Sequence, residues 1–307
     1  MTGSAAIVVI GNEVLEGSTT DTNSGWLCRQ ISGRGGRILQ ICTVPDDQER
    51  IIDALARSFA LGANLVVTIG GLGSTRDDRT AAAISAYARV PMLPHETAIR
   101  LVGRRYEQLA QAGAVERLPS AETNRARAKM TLLPDGAEAI PNEAGVAPAI
   151  HLTVAGGGIL ALPGVPRELK HIVADQAGDV FQRWLGAGHL RGARVVTSTS
   201  EESVLDSALQ EFDAQGNDGV YLKSRARHFG KDVRMTVTLS ARGTDLDRVR
   251  RLLRSSLELF RQILDRRGIE IVEVDFDPPE QAPLDAAGRK DPIRVVEPVP
   301  SVPAQPA

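Results

Sequence analysis

The order of apolar runs constrains this chain most: through its first half, short β-branched stretches alternate with stretches of helical spacing. "AAIVVI" (Ala5–Ile10) holds no polar residue and stops at Gly11, the pattern of a strand buried on both faces of a parallel sheet. Asp21 to Ile31 reads as a helix, with Asp21 placed to cap it and Trp26, Leu27, Gln30 and Ile31 near helical spacing. After the glycine-rich break Gly33–Gly36, "RILQICTV" (Arg37–Val44) is a second strand. Asp46 to Leu61 carries Ile51, Ile52, Leu55 and Phe59 as an amphipathic helix, and "NLVVTI" (Asn64–Ile69) is a third strand. Asp77–Ala88 and Glu96–Gln111 follow as helices. Such alternation predicts an α/β sheet with helices on both faces.

Between Gly113 and Pro148 prolines and glycines loosen the pattern, and a loop this long in a compact domain is usually functional. "ILALPGVPRELKHIV" (Ile159–Val173) restores a strand, a Pro-Gly turn and a helix opened by Pro166. From about Arg194 to Leu264 the elements instead run β-α-β-β-α, and "IEIVEV" follows. The tail from Asp277 to Ala307 is proline-rich and poor in apolar residues, a disordered extension by composition. No internal repeat is present.

A formal charge of −2 gives no bulk attraction to nucleic acid or to anionic membranes, and no stretch is long and apolar enough to span a bilayer. Cys28 and Cys42 belong to no CxxC or Cys/His cluster, so they read as reduced thiols of a cytoplasmic protein. The five histidines lack metal-ligand spacing, and the basic stretch Leu222–Arg234 reads as a solvated turn.

"VVTIGGLGSTRDDRT" (Val66–Thr80) is the strongest chemical signal. Gly70, Gly71 and Gly73 allow a sharp turn and close approach of a ligand, while Ser74 and Thr75 offer hydroxyls. With a helix N-terminus behind it, the loop suits phosphate. It is neither a P-loop nor a GxGxxG fingerprint. Asp77 and Asp78 can cap that helix, or they can hold a hard divalent cation (Mg²⁺, Mn²⁺ or Co²⁺) beside phosphate oxygens. Strand one runs into Glu13, Glu16, Asp21 and Asn23, and strand two into Asp46 and Asp47. Parallel strands end on one sheet edge, where ligands bind. Helix capping is the reading for Asp47; for Asp21, Asp46 and Asp78 a metal-assisted phosphate site is favoured.

"GNEVLEGSTTDTNSGWL", "TVPDD", "IGGLGSTRDDRT", "PNEAGVAPA" and "LPGVPRELK", in this order, resemble the CinA family (competence/damage-inducible protein A). The resemblance runs from about Ile7 to Leu264. It implies a three-layer α/β domain of the MoaB/MogA molybdopterin-binding type over residues 1–188, a small α+β domain over 189–276, and the tail over 277–307. By resemblance, Asp21 and Asp46 match acidic positions important in molybdopterin adenylyltransfer, and Gly70–Thr80 with Thr80 match the phosphate-binding loop. Asn142, Gly145, Gly164 and Glu168 match ligand-side positions. The family association is metal-dependent hydrolysis of ADP-ribose and similar pyrophosphates, and a homodimer through the second domain.

Asn12 stands where the family usually has an acidic residue, and Ala149 where it usually has glycine, narrowing the expected pocket. The nicotinamide-nucleotide amidase domain of full-length bacterial CinA proteins has no counterpart here, so that deamidation is not expected. Three functions compete: a metal-dependent pyrophosphatase, a pterin-phosphate carrier or transferase, and a non-catalytic nucleotide sensor. The partner in each case is a small phosphorylated molecule.

Overall fold

The structure, a computed structural model, describes residues 2–116, 119–215, 219–226 and 234–277. The proline-rich tail beyond 277 and the centre of the basic stretch, with Arg227, His228 and Lys231, lie outside the described residues; Lys223 and Arg225 are exposed.

The chain begins with β1 (Ser4–Ile10), α1 (Asn12–Leu15), α2 (Asn23–Gly33), β2 (Arg37–Val44), α3 (Gln48–Ala60) and β3 (Leu65–Ile69). It continues through α4 (Thr80–Ala88), β4 (Met92–Pro94), α5 (Glu96–Gln111), α6 (Ala121–Lys129), β5 (Leu132–Pro134) and β6 (Glu138–Ile140). β7 (Ala149–Val154), β8 (Gly157–Leu162), α7 (Pro166–Asp175) and α8 (Gly178–Leu185) complete the first layered unit. Its six-stranded sheet has the order β2-β1-β3-β8-β7-β6. β2, β1, β3 and β8 are parallel, and β7 runs against both its neighbours.

The alternation of side chains along each strand makes this a three-layer domain. Ala6, Val8 and Ile10 pack on one face with Ile51 and Leu55 of α3, Ile84 of α4 and Val102 of α5. Ala5, Ile7 and Val9 pack on the other with Leu27 and Ile31 of α2, Ile172 of α7 and Phe181 of α8. Both faces being covered explains why β1 and β3 are nearly uniformly apolar.

The second unit contains β9 (His189–Thr197), α9 (Glu202–Ala214), β10 (Val220–Ala226), β11 (Met235–Gly243), α10 (Leu246–Arg266) and β12 (Ile271–Phe276). Its antiparallel sheet, ordered β10-β11-β9-β12, carries α9 and α10 against an apolar core of its own. Phe212 and Phe260 meet edge to face across the two helices, with centroids 5.9 Å apart. The expected β-α-β-β-α order is present, and "IEIVEV" closes the sheet as β12 beside β9.

Three features depart from the sequence expectation. α4 starts at Thr80 rather than Asp77, because residues 75–78 form a separate tied loop. Within 113–148 the described residues form α6, β5 and β6 rather than one loose loop. α6 buries no residue and the two strands have three residues each, so hydrophobic periodicity had nothing to register. α1, β4, β7 and α8 are additional to the expected elements. Among the described residues no helix is long and apolar enough to cross a membrane.

Candidate functional site

The register aligns the ends of four parallel strands: Ile10 lies opposite Val44, Ile69 opposite Val9, and Leu162 opposite Ile69. Ile140 and Ala149 flank the same edge from β6 and β7. The loops leaving this edge surround an open cleft of about 700 Å³.

The loop after β3 forms its floor. Gly70 and Gly71 have φ of +104° and +68°, conformations that a side chain strains. A Cβ on Gly70 would lie 2.4 Å from the Ile10 carbonyl oxygen, so glycine also allows two strand ends to touch. Fully buried Thr80 folds the loop onto α4, donating its hydroxyl to the Gly70 carbonyl at 2.7 Å and its N–H to that of Gly71 at 3.1 Å. Asp78 Oδ2 then accepts both the N–H (2.8 Å) and the hydroxyl (2.5 Å) of Thr75. Lys129, from the end of α6, donates to the Thr75 carbonyl and, at 2.6 Å, to that of Asp78. Held this way, the N–H groups of Gly71, Gly73 and Ser74 donate to no other group among the described residues. All three residues line the cleft.

Asp77 and Asp78 line it too. The neighbouring Thr75 hydroxyl, and then Asp77's own backbone N–H, hold the exposed Asp77 carboxyl below the usual carboxylate range. Across the cleft, Asp46 Oδ2 accepts the Asn12 N–H at 2.8 Å, joining the loops after β1 and β2. Asp47 turns away and caps α3 through the Arg50 N–H, as expected. Glu13 reaches the cleft, whereas Asn12 contributes its backbone only.

The third wall is built on Asn142. This buried amide donates to the Ala147 carbonyl at 2.9 Å and to Glu168 Oε2 at 2.6 Å, and accepts the Gly145 N–H at 2.9 Å. A Cβ on Gly145 would sit 2.0 Å from Glu168 Oε2, so the glycine makes room for that carboxylate. Gly164 packs beside Gly70, and its carbonyl accepts from Asn23 Nδ2 at 2.8 Å.

The expected site residues therefore divide. Asp46, Gly70, Gly71, Gly73, Ser74, Asp77, Asp78, Gly145, Gly164 and Glu168 border the cleft. Asn23, Thr75, Thr80 and Asn142 stand behind it as supports. Asp21 is not on its lining: its carboxylate caps α2 through the Asn23 and Ser24 N–H groups at 2.9 and 3.0 Å. Ala149 does not narrow the pocket either, because its methyl is buried in the core beneath the sheet. Tyr106, Met130 and Lys129 are additions that no local motif announces.

Among the described residues no three His, Cys, Asp or Glu side chains form a ready-made metal nest. Glu13, Asp46, Asp77 and Asp78 instead offer hard oxygen donors around one cleft. Carboxylates spread around an open cleft suit an ion that keeps several of its waters, as Mg²⁺ does, rather than an all-protein cage.

Residues 6–182, the layered unit that carries every one of these loops, match the family described as "Probable molybdopterin binding domain". The chain belongs to this family. Among solved members of the fold, the CinA protein of unknown function from Thermoplasma acidophilum is similar at 26% identity and a TM-score of 0.52. The similarity covers 59% of this chain and 98% of that one. Among curated relatives, a Caldivirga maquilingensis protein is 31% identical over 263 residues, covering 85% of this chain and 96% of its own. A Thermococcus kodakarensis protein is 29% identical over 269 residues, covering 88% of this chain and 99% of its own. Both matches are longer than the 6–182 span of the family model. The CinA resemblance holds at the level of this domain and fold.

Proposed function

We propose that the cleft binds a nucleotide pyrophosphate of the ADP-ribose type and hydrolyses it with help from a divalent metal ion. The observation that carries this reading is the glycine loop: unpaired N–H groups of Gly71, Gly73 and Ser74 beside the carboxylates of Asp77 and Asp78. Backbone N–H groups suit phosphate oxygens, and carboxylates alone would repel them. Asp77 and Asp78 would hold the ion together with water and phosphate oxygens, and the ion would supply charge neutralisation at the phosphates when bound.

The chain's own part is positioning. The glycine loop grips one phosphate, and Thr80, Thr75 and Lys129 keep that loop from yielding. Asp46, with Oδ2 tied to the Asn12 N–H, has Oδ1 to orient a water and accept its proton. The water oxygen bonds to phosphorus as the bridging P–O bond breaks, giving AMP and ribose 5-phosphate.

The test is AMP release from ADP-ribose with Mg²⁺, Mn²⁺ or Co²⁺, with EDTA, and with Asp77→Asn. Metal-dependent release lost in the variant is the expected result. Binding without release under every metal would refute hydrolysis and leave the sensor role. The family's molybdopterin-binding description favours a second reading, retention of a pterin phosphate without turnover. Absence of ADP-ribose binding together with binding of a phosphorylated pterin would select it.

A further inference from the structure

We propose that His171 is a positioning residue: in its doubly protonated form it latches the loop between β6 and β7, the third wall of the cleft, onto α7. The inference rests on the reading of the cleft as a phosphate site, and adds a control on the shape of that site.

α7 meets this loop at two places one helical turn apart. Glu168 accepts from Asn142 at 2.6 Å, and His171, three residues further on, turns to Glu143. Residues three apart share a helix face, so one stripe of α7 holds two consecutive loop residues. His171 lies between two carboxylates: Nδ1 is 3.0 Å from Asp175 Oδ2, and Nε2 is 3.6 Å from Glu143 Oε2. The Nε2 atom is buried and makes no hydrogen bond, 3.6 Å being too long for one. An ionised carboxylate only accepts, and a neutral imidazole has a single N–H to give. With that proton on Nδ1, a lone pair on Nε2 faces the Glu143 carboxylate and pushes the loop off. The imidazolium gives an N–H to each carboxylate and draws the loop in. Histidine is the side chain that changes between these forms from pH 5 to 8.

The other charged groups around the ring are exposed or engaged elsewhere. On α7, Arg167 is exposed, Lys170 lies over the Trp26 ring and Glu168 serves Asn142. On α8, which packs against α7, Asp179 is exposed and Arg183 pairs with Glu138. Among the described residues, only Glu143 and Asp175 lie within ion-pair distance of His171. The latch bears on the cleft because Gly145, Val146 and Ala147 of the same loop line it, and Asn142 fixes the Gly145 N–H.

The experiment is amide hydrogen exchange of residues 142–148 in the full chain at pH 6.0 and 8.0, with calorimetric binding of pyrophosphate and Mg²⁺ alongside. The parent, His171→Gln, Glu143→Gln and the double variant are compared at the same pH, so ionisation of the ligand cancels. A partly exposed ion pair is worth about two- to fivefold in an equilibrium constant. At pH 6.0 each single variant should speed loop exchange and weaken pyrophosphate by that factor, and the double variant should do no more. At pH 8.0 the variants should exchange and bind no worse than the parent. An effect of His171→Gln that is equal at both pH values, or absent at both, overturns the latch. So does tighter pyrophosphate binding by Glu143→Gln at pH 6.0, which would make His171 a nearby positive charge only. Faster loop exchange with unchanged affinity overturns the positioning role. If the parent binds no pyrophosphate, the phosphate reading falls, and the exchange pattern still decides whether His171 holds the wall.

Discussion

Thr80→Val isolates the bond that shapes the phosphate loop. Valine keeps the branched shape of threonine and replaces the hydroxyl by a methyl group. In the fold, that hydroxyl is buried and donates to the Gly70 carbonyl at 2.7 Å, so the substitution leaves a carbonyl without its partner. Stranding one buried acceptor costs about 1–3 kcal/mol. A loss of about 2 kcal/mol lowers Tm by about 4–8 °C in a domain of this size. Thr80→Ser is the control: it keeps the hydroxyl and deletes a buried methyl, at about 1 kcal/mol. Stability alone separates the two weakly, and ligand affinity separates them well. Valine releases Gly70 and Gly71, whose conformations aim the loop, so pyrophosphate binding with Mg²⁺ should fall several-fold; serine should bind as the parent does. The assays are thermal unfolding and titration calorimetry on the same preparations. If valine binds pyrophosphate as tightly as serine does, this bond does not shape the loop, and the argument from Thr80 fails.

Two further predictions concern close contacts elsewhere. Gly145→Ala places a methyl 2.0 Å from Glu168 Oε2 and displaces the carboxylate from Asn142, at an overpacking cost of about 1–3 kcal/mol. Urea unfolding should show that cost reduced in Gly145→Ala/Glu168→Ala relative to the sum of the single changes; strict additivity would mean that the two residues do not contact. Burial pushes His151 below the ordinary histidine range: its Nε2 accepts the Trp184 indole N–H at 2.9 Å, which puts the proton on Nδ1, toward Glu138 at 3.2 Å. The unfolded chain gains a proton first as pH falls through about 6.5, so this contribution is complete above that pH and is lost below it. Urea midpoints at pH 7.5 and 5.5 should differ more for the parent than for His151→Gln, and an equal difference would remove His151 as a cause.

How much of this was legible depended on whether the deciding force was local. β1 and β3 were readable because burial on both faces leaves no room for polar residues along them. The glycine loop was readable because positive φ at Gly70 and the approach to Ile10 demand that residue type wherever the loop lies. Tyr106, Met130 and Lys129 were not, because the path of α5 and α6 past the sheet edge, rather than any motif, brings them to the cleft. α6 is polar all round and owes its position to Ser120 at its start and to Arg127 and Lys129 near its end.

The acidic residues show the same limit more sharply. Asp21 and Asp46 both follow a parallel strand, and nothing in their immediate sequence separates a helix cap from a cleft residue. Two residues beyond Asp21 the chain enters α2, and its carboxylate is taken up by the first free N–H groups. After β2 that capping duty falls to Asp47, whose extended backbone turns consecutive side chains apart, and Asp46 is left facing the cleft. The pair at 77 and 78 divides its work differently. Asp78 ties the loop through the N–H and hydroxyl of Thr75 while bordering the cleft, and Asp77, exposed and held below the usual carboxylate range first by the Thr75 hydroxyl, borders it without taking up a backbone N–H of another residue. A doubled aspartate after a strand thus lets one carboxylate satisfy the backbone and the other remain available to a cation. Removing Asp47 or Asp78 acts on the fold or the loop first, removing Asp46 acts on both the charge of the cleft and the tie to Asn12, and removing Asp77 acts on the charge of the cleft.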